Sequence, residues 1–152
     1  MKIRPTKSDD VSALQLVLKG TDLFPPEMLP DMLSGFLSVD DSEDQWLTCE
    51  QDRKAIGFCY AVPEQLAEGT WNMLAIAVHP EQQRSGAGKA IVAQLESDLR
   101  SQGQRILIAD TSGTDGFANT REFYRKSGYT EEARIRDFWA KGDDKVVFWK
   151  AL

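Results

Sequence analysis

The chain has 152 residues, 41% of them apolar, a balance that suits one folded domain with a substantial core and excludes a disordered chain. Its formal net charge is −6, with 18 Lys and Arg against 24 Asp and Glu, and it has no basic run of the kind that nucleic-acid phosphates require. No apolar run approaches the roughly 20 residues that span a bilayer, and Met1-Lys2-Ile3-Arg4-Pro5 lacks the apolar stretch of a secretory signal, so a cytoplasmic protein without nucleic-acid or membrane partners is expected.

In chain order, Lys2 to Pro5 reads as a first strand, and Thr6, Ser8, Asp9 and Asp10 supply capping residues for a helix. Val11, Leu14, Val17 and Leu18 follow at helical spacing until Gly20. Phe24-Pro25-Pro26 breaks the chain, and Pro26 suits the first turn of a second helix with Leu29, Met32, Leu33 and Phe36 on its apolar face. That face reads as core. A second reading makes it the wall of a substrate pocket with Phe24 at its mouth.

Val39 to Asp44 is an acidic loop. Gln45 to Glu50 and Ala55 to Val62 form a hairpin around Gln51-Asp52-Arg53-Lys54. Gly57 marks a close approach or a bulge. Cys49 and Cys59 lie on these neighbouring strands out of opposition, as reduced buried residues and not a bridge or metal pair. With one histidine in the chain, no metal site is expected. Trp71 to Val78 is near-continuously apolar, which predicts a central strand buried on both faces.

After it, Ile91, Val92, Leu95 and Leu99 line a helix that ends at Gly103, and Arg105 to Ala109 is the next strand. Strand, helix and strand make a βαβ unit whose strands run parallel. Asp110 to Asp115 reads as a loop, Phe117 to Lys126 as a short helix stopped by Gly128, and Tyr129 to Trp139 and Lys145 to Lys150 as two last strands joined by the Ala140 to Asp144 turn. No internal repeat or second domain interrupts residues 1–152. Val146 to Trp149 offers a strand that could pair or pack across a homodimer.

The junction between the central strand and the following helix is Val78-His79-Pro80-Glu81-Gln82-Gln83-Arg84-Ser85-Gly86-Ala87-Gly88-Lys89. A helix start leaves backbone N–H groups without internal partners and carries partial positive charge, so this turn suits an anion such as a phosphate. Gly86 and Gly88 allow the backbone a close approach that a Cβ would prevent. The dinucleotide fingerprint fails because Ile91 stands where its third glycine belongs, and the P-loop fails because Ala90 follows Gly88-Lys89. His79 reads as a surface turn residue.

Gln83-Arg84-Ser85-Gly86-Ala87-Gly88, following a strand that ends Ala-Val-His-Pro-Glu, resembles the acetyl-CoA motif of the GNAT N-acetyltransferase superfamily. Phe123-Tyr124-Arg125-Lys126-Ser127-Gly128-Tyr129 is similar to the signature near the C-terminus of that family. The resemblance covers roughly Trp71 to Leu152; the preceding part matches in element order alone. It implies an α/β (α+β) fold with a mixed, mostly antiparallel sheet, helices on both faces, and a central parallel pair splayed around the cofactor.

The resemblance further implies transfer of an acetyl group from acetyl-CoA to a primary amine of a small molecule or peptide, by direct attack of the amine. The pantetheine arm would pair with Ile76, Ala77 and Val78, and the pyrophosphate would rest on Gln83, Arg84, Ser85, Gly86, Ala87, Gly88 and Lys89. Lys89 either adds charge to the phosphates or is a solvated lysine. Tyr124 is the implied acid for the leaving thiolate, since a phenol is protonated at neutral pH. Asp110 is the candidate base, with a turn-capping role as its alternative, and Asn72 could orient a water. Phe24, Asp137 and Trp139, with Phe138, are candidates for the acceptor pocket; turn and packing roles account for Asp137 and Trp139 equally. One departure stands out: Phe117 occupies the position where many members carry a cofactor-contacting Asn. The rival reading is an inactive acyl-CoA sensor or interaction module.

Overall fold

The computed structural model describes residues 1–38 and 42–152; Val39 to Asp41, part of the expected acidic loop, lie outside the described residues. Strands β1 (Lys2–Pro5), β2 (Gln45–Gln51), β3 (Lys54–Pro63), β4 (Thr70–Val78), β5 (Ile106–Ser112), β6 (Thr130–Ala140) and β7 (Asp143–Ala151) form one sheet in the order β1-β2-β3-β4-β5-β7-β6. Among the described residues only β4 and β5 pair in parallel. The helices are α1 (Val11–Lys19), α2 (Leu29–Ser38), α3 (Ala87–Ser101) and α4 (Ala118–Lys126). Helix α3 is the crossover that a parallel pair requires.

Two apolar layers clasp the sheet. On one face Leu14, Val17 and Leu18 of α1 and Leu29 and Leu33 of α2 close over Trp46, Phe58, Ala75 and Ala77. On the other, Ile91, Val92, Leu95 and Leu99 of α3 and Tyr124 of α4 cover Cys49, Cys59, Trp71, Met73, Leu107, Ala109 and Phe148. Each fully buried Leu or Ile here stabilises the fold by about 1.5–3 kcal/mol. Leu29 and Leu33 are sealed, and Met32 and Phe36 pack against the same layer, so the α2 face is core. Pro26 heads a 3-10 turn, Pro26–Met28, ahead of α2 and not α2 itself. The cysteines are free and buried, and burial pushes the Cys59 thiol up to about 12.

The expectation that β4 is buried on both faces is overturned at Leu74, which is 46% exposed. Tyr60 pairs with Ala75 and Ala61 with Met73, so Leu74 is an extra residue without a partner on β3. Such a bulge reverses the alternation: Trp71 and Met73 face α3, whereas Ala75 and Ala77 face α1. A run of uniformly apolar letters hides that reversal. The parallel ladder joins Thr70, Trp71, Asn72 and Met73 to Ile106, Leu107, Ile108 and Ala109 and ends there. Beyond Met73, β4 and β5 diverge.

Asp52 and Arg53 turn the β2–β3 hairpin with φ of 50° and 63°, the two-residue turn whose twist matches the strands. A Cβ on Gly57 would stand 2.8 Å from the Ala77 carbonyl oxygen, the close approach expected there. Strand β5 runs on to Ser112, so Asp110 is a strand residue and not the start of a loop. Strand β7 lies between β5 and β6 with both edges paired. This corrects the expectation that Val146 to Trp149 is open to a second copy; the outer edge belongs to β6.

Candidate functional site

Gly86, at φ +92°, caps α3 in the left-handed region that glycine alone enters without strain. Arg84, at φ +66°, bends the chain just before it. Intrahelical bonding begins with the Ala90 amide donating to the Gly86 carbonyl at 2.9 Å. The amides of Arg84, Gly86, Ala87, Gly88 and Lys89 find no acceptor among the described residues. Five free N–H groups, with the positive end of α3, make a cradle for a phosphate-like group. Lys89 is exposed beside it. The Gln83 side chain reaches back and donates to the Val78 carbonyl at 3.2 Å, and the Ser85 hydroxyl donates to the Gln82 carbonyl.

From the cradle, Val78, Ala77 and Ile76 lead back along the unpaired side of β4 to the branch at Leu74. Tyr124 comes to the branch from the α3 and α4 face. Its ring packs against Phe148 at 5.1 Å and Tyr129 at 5.8 Å. Tyr124 is almost wholly buried, 3% exposed. Burial, then the charge of Asp110, raise its pKa above the usual phenol value. Arg121 fixes α4 to the end of β5 through the carbonyls of Ser112 at 2.8 Å and Thr114 at 2.7 Å.

Asp110 projects from the opposite face of β5, because Leu107 and Ala109 take the α3 side and strand residues alternate. Its Oδ2 accepts from Asn72 Nδ2 at 3.2 Å and from Lys145 Nζ at 3.2 Å. Asn72 Nδ2 also donates to Glu64 Oε1 at 3.0 Å. Two carboxylates thus fix the orientation of the Asn72 amide. Asn72 Oδ1 and Asp110 Oδ1 remain buried without partners. The Trp139 indole N–H donates to the Thr111 carbonyl at 3.3 Å. Phe138 stands perpendicular to Trp139 with centroids 4.7 Å apart.

The sequence profile of the acetyltransferase (GNAT) family matches residues 14–129. The chain belongs to that family. Among solved structures, a protein from Desulfovibrio desulfuricans assigned to the GNAT acetyltransferases superposes with a TM-score of 0.90 at 30% identity, over 99% of this chain and 98% of that one. The ribosomal-protein-S18-alanine N-acetyltransferase from Escherichia coli gives 0.78 at 18% identity, over 99% and 92%. An aminoglycoside 6′-N-acetyltransferase complexed with coenzyme A gives 0.71 at 17%, over 99% and 97%. The last two likenesses carry the fold alone. No curated protein sequence matches the chain.

In this GNAT fold the residues read from the sequence fall into three groups. Ile76 to Val78 and Gln83 to Lys89 make one continuous track from the branch to the cradle. Tyr124 and Asp110 flank the branch from opposite faces. Of the acceptor-pocket candidates, Trp139 reaches the Asp110 side, whereas Phe24 packs edge-on against Phe58 at 6.4 Å. The Asp137 carboxylate accepts from the Gly142 amide at 2.9 Å, which closes the β6–β7 tip. His79 accepts from the Glu81 amide within its own turn, as expected of a turn residue. Phe117, in place of the family Asn, ends a 3-10 turn ahead of α4. Glu64 and Lys145 were missed: neither sits in a motif, and only the register of Ser112 opposite Lys145 brings the latter to Asp110.

Proposed function

We propose that this chain is a single-domain, cytoplasmic N-acetyltransferase using acetyl-CoA, with a primary amine of a small molecule or peptide as acceptor. One observation carries the reading: a cradle of five free amides is continuous with a strand gap that Tyr124 and Asp110 flank from opposite faces. The residues fit the cofactor, because the amides of Arg84, Gly86, Ala87, Gly88 and Lys89 are donors without acceptors at a helix start, as an anionic pyrophosphate requires. Acetyl-CoA, when bound, supplies the thioester carbonyl that the amine attacks, forming the N–C bond and releasing the thiol.

The chain's own residues then have separate tasks. Ile76 to Val78 offer the backbone edge that holds the pantetheine arm. Asp110 takes a proton from the acceptor's ammonium group, since only the free amine carries a lone pair. Tyr124 gives its proton to the sulfur. The two are coupled: the negative charge of Asp110 holds the Tyr124 proton on, so a proton arriving at Asp110 makes the phenol a readier donor.

Calorimetric titration with acetyl-CoA and, separately, CoA tests the cofactor site. Saturable binding that Gly86→Trp abolishes is expected. No binding to the folded parent, or equal binding by the variant, overturns it. Binding without thiol release across a broad amine panel would replace the transferase reading with an acyl-CoA-binding module.

A further inference from the structure

Lys145 is held as a substrate amine would be. Its Nζ is 3.2 Å from Asp110 Oδ2 and 4.3 Å from the centroid of the Phe138 ring, with the Trp139 ring at 6.0 Å. The two rings meet at 89° and form an open corner. A carboxylate on one side and aromatic faces on the others is the environment that recognises an alkylammonium ion. The lysine side chain is 20% exposed. The rings are about half exposed and sit on the irregular stretch of β6, where the register slips between Ile135 and Ala140.

The second observation is independent of the lysine. Asn72 is 6% exposed and the Asp110 side chain 10%. Each keeps one oxygen that is sealed from solvent and unpaired. An unpaired buried acceptor is costly, and these two belong to side chains joined by the bond from Asn72 Nδ2 to Asp110 Oδ2. Lys145 satisfies Oδ2 of Asp110 but neither of these atoms. An ammonium group has three N–H donors to offer.

We propose that Lys145 is an internal stand-in for the acceptor: its ammonium rests where the acceptor's ammonium binds, and withdraws when an unhindered primary alkylammonium enters and bonds to Asp110 against the Phe138 and Trp139 rings. The inference rests on the transferase reading and narrows its acceptor to a primary amine on a flexible alkyl chain. A lysine side chain and a free alkylamine share that chemistry.

The test reads binding without requiring turnover. The parent, Lys145→Met and Lys145→Gln, each checked for folding by thermal melting, are titrated with n-butylammonium while tryptophan fluorescence is followed, with Trp139→Phe identifying the reporting indole. Removing the stand-in is expected to tighten binding about tenfold, the scale of one desolvated cation–π contact. Butyltrimethylammonium, which has no N–H, is expected to bind Lys145→Met more weakly than n-butylammonium. A peptide with a blocked α-amine and one lysine, run beside n-butylammonium and cadaverine, separates the two sources of the ammonium group.

Unchanged or weaker n-butylammonium binding in both Lys145 variants overturns the proposal and leaves Lys145 as a residue that orients Asp110. Equal affinity for the quaternary ion overturns the hydrogen-bonding role given to Asp110. Failure of the transferase reading would instead appear as absent acetyl-CoA binding in calorimetry.

Discussion

Gly88 and Phe123 touch where the anion cradle meets α4: a Cβ on Gly88 would stand 3.2 Å from Phe123 Cε1 and 3.4 Å from Cζ. The residue after Phe123 is Tyr124, so cradle and phenol are mechanically joined. Gly88→Ala is expected to push the ring by a few tenths of an ångström and carry Tyr124 with it. Turnover should fall about tenfold, since small misplacements of a reacting group are expensive, while acetyl-CoA affinity changes less. Steady-state rates beside calorimetric Kd values decide; an equal change in both would locate the effect in the cradle alone.

Tyr124→Phe removes the hydroxyl and keeps the ring that packs on Phe148 and Tyr129. Loss of a positioned acid costs about 10²-fold or more in rate. The expected result is that fall in kcat with an unchanged Kd for acetyl-CoA and an unchanged melting temperature. Parent-like turnover would take Tyr124 out of the proton path.

Asp110→Asn keeps the shape and deletes the charge that Lys145 faces. At neutral pH kcat should drop about 10²–10³-fold. Raising the pH toward the ~10 at which an alkylamine deprotonates unaided should shrink the defect, because the substrate then arrives without its extra proton. A pH-rate profile for parent and variant shows this as converging curves; parallel curves would mean that Asp110 serves to hold the acceptor and not to deprotonate it.

Asp10 ties β1 to the start of α1 through Arg4 at 2.8 Å and the Lys7 amide at 2.8 Å. Burial alone would push its carboxyl up, but the hydrogen bonds from Arg4 and Lys7 outweigh burial and hold it below the usual carboxylate range. A depressed folded pKa stabilises the protein above the unfolded value of about 4 and loses that contribution as pH falls through the folded one. Asp10→Asn should therefore destabilise the protein at pH 7, by about 1–2 kcal/mol because Arg4 keeps Glu50 as a partner, with the difference from the parent narrowing below pH ~4. Urea unfolding at the two pH values measures it. A cost independent of pH would leave the hydrogen-bonding shape, and not the charge, as the source.

The element order and the cradle were legible in the sequence because they depend on local signals: Gly86 and Gly88 at the head of a periodic helix, and Leu14, Val17 and Leu18 at helical spacing. The bulge was not, since Leu74 lies among apolar neighbours and nothing in Met73-Leu74-Ala75 betrays which residue lacks a partner. The ammonium corner was not either. Asp110, Asn72, Lys145 and Phe138 come from separate strands, and their meeting follows from long-range register that no spacing encodes. Asp137 shows another contact that spacing does not encode: one oxygen of its carboxylate accepts from the Gly142 amide across the β6–β7 tip.

The end of the parallel ladder at Met73 leaves an interior strand with its β5 side open from Leu74 to Val78. In effect the molecule has an edge in the middle of its sheet. Backbone amides on that edge are held by no ladder, so they should exchange with deuterated solvent far faster than those of β3, which is paired along both sides. A ligand arm lying along the edge would act as a short non-peptide strand. Protection of residues 74–78 on adding CoA would then record the sheet being completed by something that is not protein.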